Sequence, residues 1–139
     1  MKRKKIILIS FVAFIIVALV ILGVWYYTPK TFLNKIDASE VMSISVFDGN
    51  TGKGFVVEIP EEIRQIVENI QQNQMKRHKI SVGYSGYSFR MQFVDKSGKI
   101  IDSFIINSSD TIRDDPFFYR CDGGLCYDYM KDLEDMYAR

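Results

Sequence analysis

The hydrophobic pattern changes period several times along the chain. Across residues 6–27 nothing is charged and only Ser10 is clearly polar. As a helix rising ~1.5 Å per residue, this stretch extends roughly 33 Å, enough to cross a hydrocarbon core of ~30 Å. It is apolar on every face, so it needs lipid or protein all round it, and the remaining chain is too small to enclose it. Further on, Met42, Ile44 and Val46 alternate with Ser43 and Ser45, the period of a half-buried strand. Residues 48–54 are rich in turn formers, and Phe55, Val57 and Ile59 alternate again, which predicts a β-hairpin. Pro60, Glu61 and Glu62 suit a helix start. Proline lacks an N–H that would be unpaired there, and acids favour the positive end of the helix dipole. Ile63, Ile66, Val67 and Ile70 then fall on one helical face.

Residues 75–79 read as a basic connector. Tyr87, Phe89, Met91 and Phe93 alternate with Ser88, Arg90 and Gln92, the clearest strand in the chain. A turn at residues 95–98 leads to a partner strand over residues 100–106, apolar enough to be central. Residues 107–116 are polar and read as a loop, and residues 117–121 as a short strand. The last helix, residues 127–137, carries Met130, Leu133, Met136 and Tyr137 on one side. The order after the apolar segment is therefore β-β-α-β-β-β-α. Two helices, each with one apolar stripe, against a mostly antiparallel sheet define a two-layer α+β domain. The divisions are a basic tip at 1–5, a transmembrane helix at 6–27, a juxtamembrane connector at 28–36 and the α+β domain at 37–139.

Two fates compete for the apolar segment. A secretory signal has an apolar stretch of ~7–15 residues and a small-x-small cleavage site. This stretch is longer, and it runs into Trp25, Tyr26, Tyr27 and Pro29 without such a site. No cysteine lies in or just after it for lipid modification. Aromatic rings with a polar tip suit the water–lipid interface, which favours an uncleaved anchor. Lys2, Arg3, Lys4 and Lys5 precede the segment, while Lys30 and Lys35 are spread out after it. Positive charge is retained inside, so the amino terminus is expected in the cytoplasm and the domain outside a cell membrane, with the bilayer as first partner. Without the four basic residues of the tip, 14 Lys and Arg stand against 17 Asp and Glu, a net charge of about −3. That excludes a general nucleic-acid binder, which needs a strong basic footprint.

An outside location changes the reading of Cys121 and Cys126 in CDGGLC, because thiols there can be held as a disulfide. Asp122, Gly123 and Gly124 allow the reversal this needs, and a disulfide between Cys121 and Cys126 is expected. The alternative redox pair has a narrower spacing beside a βαβ pattern. Zinc would need more ligands than these two cysteines and His78, the one histidine. Residues 49–54 look superficially like a phosphate loop, but a strand follows where a helix is required. His78, among Lys76, Arg77 and Lys79, lacks any sign of an orienting acid and reads as exposed. The basic run suits anionic surfaces, and as a solvated loop after a helix it needs none. Asp110, Asp114, Asp115 and Asp122 lack calcium-loop spacing. No cofactor or metal site is expected. Tyrosines are abundant, and Tyr84, Tyr87, Tyr127 and Tyr129 flank glycine-rich turns. Each offers flat apolar area and one hydroxyl, the makings of a binding surface.

The basic tip MKRKK with its apolar segment, the hairpin SISVFDGNTGKGFVVEI with helix PEEIRQIVENI, and the pair FRMQFVDKSGKIIDSFII form a recognisable layout. It resembles small uncharacterised single-span membrane-anchored proteins of Gram-positive bacteria. That resemblance implies a bacterial cell envelope and brings no catalytic residues. The expected function is a non-enzymatic extracytoplasmic binding domain for an envelope protein or polymer. An envelope enzyme with an unrecognised site, and a membrane-complex subunit acting through its span, stand as alternatives.

Overall fold

The computed structural model describes residues 1–138. Helix α1 (Lys2–Tyr27) has no buried residue and is long and apolar enough to cross a membrane. It is followed by β1 (Val41–Asp48), β2 (Gly54–Val57), α2 (Pro60–Gln71), β3 (Lys76–Ile80), β4 (Phe89–Asp95), β5 (Ile100–Ile106), β6 (Thr111–Asp114), β7 (Phe117–Arg120) and α3 (Tyr127–Tyr137). The strands form one antiparallel sheet in the order β2-β1-β4-β5-β6-β7-β3. The fold is α+β with the expected order, plus two strands that side-chain periodicity did not reveal. The expected basic connector contains β3, and the expected loop at 107–116 contains β6. β3 keeps none of its side chains buried and β6 only Ile112, so neither shows a buried stripe; backbone pairing with β7 holds both.

One face of the sheet makes the core. Ile44 and Val46 of β1, Phe89, Met91 and Phe93 of β4, Phe104 and Ile106 of β5, Ile112 and Tyr119 all turn inward. Ile63, Ile66, Val67 and Ile70 of α2 and Met130 and Leu133 of α3 complete the same cluster. Four side chains expected inside, Met42, Ile59, Met136 and Tyr137, are exposed. A bulge in the pairing between Val41 and Ser43 buries Val41 and turns Met42 out, leaving it 58% exposed. Met136 of α3 is also 58% exposed, because its neighbour Glu134 takes the inward position and accepts a hydrogen bond from the Thr51 hydroxyl.

The connector after α1 belongs to this core. Phe32 and Leu33 are buried, and Phe32 packs against Phe104 and Tyr119. The side-chain amide of Gln71 donates to the carbonyls of Leu33 (2.8 Å) and Ile36 (2.7 Å). Lys30 and Met75 exchange backbone hydrogen bonds of 2.8 and 2.9 Å. The ammonium of Lys30 pairs with Asp114 at 2.6 Å.

The end of α1 is closed by a side chain from β3. The last four carbonyls of a helix have no partner within it. The Arg77 guanidinium donates to the carbonyls of Trp25 (2.7 Å), Tyr26 (3.3 Å) and Thr28 (3.3 Å). It also stacks on the Trp25 ring at 4.1 Å, and Phe117 packs edge-on against both Trp25 and Tyr26. α1 and the sheet are thereby one continuous body.

Phe93 is fully buried and packs 5.3 Å from Phe104. Phe93→Ala is expected to cost about 3–5 kcal/mol in chemical denaturation of the full chain in detergent. Met136→Ala, at an exposed position, is expected to stay within about 0.5 kcal/mol.

Candidate functional site

The face of the sheet away from the helices is crossed by one row of paired residues. Gly54 stands opposite Phe47, Phe47 opposite Arg90, Arg90 opposite Ile105, and Ile105 opposite Arg113. Arg113 then stands opposite Phe118, and Phe118 opposite Lys79. Paired residues share a face, and successive residues of a strand alternate faces. The row is thus the outward complement of the core row one residue away.

The loop between β3 and β4 runs over this row. It begins beside the β6–β7 turn, where the Ser81 N–H donates to the Pro116 carbonyl at 2.8 Å. Tyr84 packs edge-on against Phe118 at 5.2 Å, and Tyr87 lies 6.4 Å from Phe47. Gly49 makes room for the loop's end. A Cβ there would stand 2.5 Å from the Tyr87 carbonyl and 2.8 Å from its ring. Arg113 fixes the middle: it donates to the Tyr84 carbonyl at 2.8 Å and pairs with Asp115 at 2.8 Å.

Between loop and strands lies an open cleft of about 350 Å³. Tyr84, Ser85, Tyr87, Arg90, Ser103, Ile105, Arg113, Asp114 and Asp115 line it. The Arg113 guanidinium, and after it the Ser81 hydroxyl, hold the Asp115 carboxyl below the usual carboxylate range. Asp115 is therefore ionised at neutral pH and suits no role as a general acid. Asp114 is paired with Lys30. The Arg90 guanidinium lies over the Tyr87 ring at 4.2 Å and, among the described residues, has no ion pair. The cleft offers flat rings, two serine hydroxyls and an uncompensated guanidinium. This is chemistry for holding a ligand.

The four tyrosines singled out from sequence separate. Tyr84 and Tyr87 line the cleft. Tyr127 packs against Phe89 at 5.3 Å on the core side, and Tyr129 packs against the core from α3. Burial raises the Tyr129 hydroxyl above its ordinary pKa. Sequence reasoning missed Arg90 and Arg113. Their signal was available for Arg90, as the polar partner in the alternation of β4; Arg113 lay in the strand read as a loop.

The expected disulfide is corrected. Cys121 and Cys126 are both free thiols. The CDGGLC turn is held by backbone instead: Cys121 N–H donates to the Asp110 carbonyl (2.9 Å) and Leu125 N–H to the Ser109 carbonyl (3.0 Å). Gly123 and Gly124 take positive φ of 98° and 95°, which lets the chain drop Leu125 and Cys126 into the core. Core packing claims Cys126, while the Cys121 sulfur lies against the Asp110 and Gly123 carbonyls at 3.7 and 3.8 Å. Burial pushes the Cys126 thiol up to about 12.

The remaining sequence candidates are dispersed. His78 is exposed on β3. Asp110 is held well below the carboxylate range by Arg120 first, then by the Thr111 and Ser108 hydroxyls. Among the described residues no three His, Cys, Asp or Glu side chains gather to hold a metal. Residues 49–53 form the hairpin turn between β1 and β2, and Gly54 already opens the strand that follows in place of a helix. A second open groove, of about 910 Å³, lies beside α2 and β1, lined by Ile36, Val41, Met42, Ile63, Arg64 and Lys96 among others. No protein-family model, curated protein or solved structure matches the chain.

Two outcomes check this description. Alkylation of the folded chain under non-reducing conditions is expected to reach Cys121 ahead of Cys126, since the thiolate is the reactive form. Denaturation without reductant is then expected to expose the second thiol, read as a second adduct by mass spectrometry. Gly49→Ala is expected to lose about 1–3 kcal/mol in chemical denaturation, because the new Cβ meets the Tyr87 backbone.

Proposed function

We propose that the chain is a membrane-anchored, non-enzymatic binding protein of the bacterial envelope. In this reading α1 is retained as the span, Lys2–Lys5 stay in the cytoplasm, and the α+β domain stands outside. The observation that carries it is the uncovered sheet face with its cleft of Tyr84, Tyr87, Arg90 and Arg113. Sheet faces left without a helix layer are available to partners, and aromatic and arginine side chains are the residues that dominate binding surfaces. The free guanidinium of Arg90 favours a ligand with a phosphate or carboxylate, with Tyr84 and Tyr87 as flat ground for its rings. The long, evenly apolar α1 and its exit through Trp25, Tyr26 and Tyr27 support retention in the membrane. The resemblance of the layout to single-span proteins of Gram-positive bacteria supports the envelope setting.

The test is capture by the full chain, solubilised in detergent, from fractionated envelope proteins and anionic wall polymers. Binding that survives in the parent and falls about 30-fold in Arg90→Ala, equivalent to about 2 kcal/mol, supports the cleft. Equal binding by parent and Arg90→Ala, or capture of neither fraction, overturns this reading.

A further inference from the structure

The course of β3 places exposed apolar side chains beside the end of α1. Met75 bridges Lys30 in antiparallel sense, so β3 runs back toward the end of α1. Arg77 reaches the carbonyls of Trp25, Tyr26 and Thr28. Five residues of strand cover roughly 16 Å, and β3 ends at Ile80, opposite Phe117. Phe117 itself packs on Trp25 and Tyr26. Just here the surface turns apolar: Ile80 is 62% exposed and Val82 70% exposed. Gly83 follows at φ 90° with open space around it. Lys79 precedes the patch, and Ser81, between Ile80 and Val82, donates its hydroxyl to the Asp115 carboxylate, whose charge Arg113 balances.

We infer that the end of β3 and the turn after it, residues 80–83, form a second membrane contact, seated in the headgroup region of the bilayer that α1 leaves. This rests on the reading of α1 as a retained span. Interface-lying segments combine an apolar side immersed ~5–10 Å with cations at the phosphate level. Ile80 and Val82 supply the first; Lys79 supplies the second, its ammonium 4.7 and 5.2 Å from the centroids of the Tyr84 and Phe118 rings. A lipid surface is the favoured occupant because the patch is continuous with the aromatic exit of α1. A span and a wedge touching one leaflet would hold the domain at a fixed tilt.

Tryptophan quenching by lipids brominated on the acyl chain tests this with the full chain in phosphatidylcholine–phosphatidylglycerol vesicles. Trp25 is the sole tryptophan, so the parent reports the span alone. In a Trp25→Phe background, Val82→Trp and, separately, Ile80→Trp are expected to be quenched to within about twofold of Trp25 and to emit at shorter wavelength. Lys53→Trp, in the β1–β2 turn at the other end of the strands, is expected to be quenched by less than about one tenth. Quenching of Trp25 with none at positions 80 and 82 overturns the second contact and leaves the span standing. It would assign the patch to a protein or to a second copy. Equal quenching at 53 and 82 overturns it as general adsorption. No quenching of Trp25 overturns the span, and the contact with it.

Discussion

Two helices of 12 and 11 residues cannot cover both faces of a seven-stranded sheet. That constraint orders everything else in the domain. α2 and α3 lie on one face and, with Phe32 and Leu33 of the connector, close a core containing Phe89, Met91, Phe93 and Phe104. The other face must be polar, or covered by something smaller, or left for a partner. Here the β3–β4 loop covers part of it with Tyr84 and Tyr87, and Arg90, Ile105 and Arg113 floor the space between. The cleft is thus a direct product of one-sided burial.

Charge follows the same geometry. Nearly every acid near the open face and its rim has its own cation: Asp115 with Arg113, Asp114 with Lys30, Asp110 with Arg120. Such pairs, partly exposed, add little stability each. Their consequence is positional, since they fix the turns that frame the open face. Arg90 stands outside this pairing and gives the cleft its character.

The junction with α1 works by a different principle. A helix end leaves carbonyls that must find donors, and the donor is Arg77, a residue 49 positions after the last carbonyl it serves. Its planar fork lies against Trp25 while its N–H groups reach the backbone, a combination a lysine cannot reproduce. Together with Lys30 on Asp114, it makes the route from α1 into the sheet stiff. Under the proposed anchoring, the cleft would be presented at a set height and angle above the membrane.

The side-chain pattern alone determined α1, as an unbroken apolar run with no buried residue, and the β1–β2 hairpin, α2, β4, β5 and α3, because each of these carries a stripe of buried residues that sequence displays directly. It also marked Tyr84 and Tyr87 beside a glycine-rich turn, although Tyr87, read as the start of a strand, lies in the loop before β4. What it could not display is pairing through the backbone. β3 and β6 are strands because β7 offers free N–H and C=O groups, and that interaction leaves almost no mark on side-chain choice. The same holds for Arg77, whose partners are carbonyls, and for Arg90 and Arg113, which meet only across β5. Cys121 and Cys126 are near in sequence, yet core packing of Leu125 and Cys126 set their fate as free thiols. Local pattern records which residues are buried; only the tertiary structure decides which backbone and which charge they are buried beside.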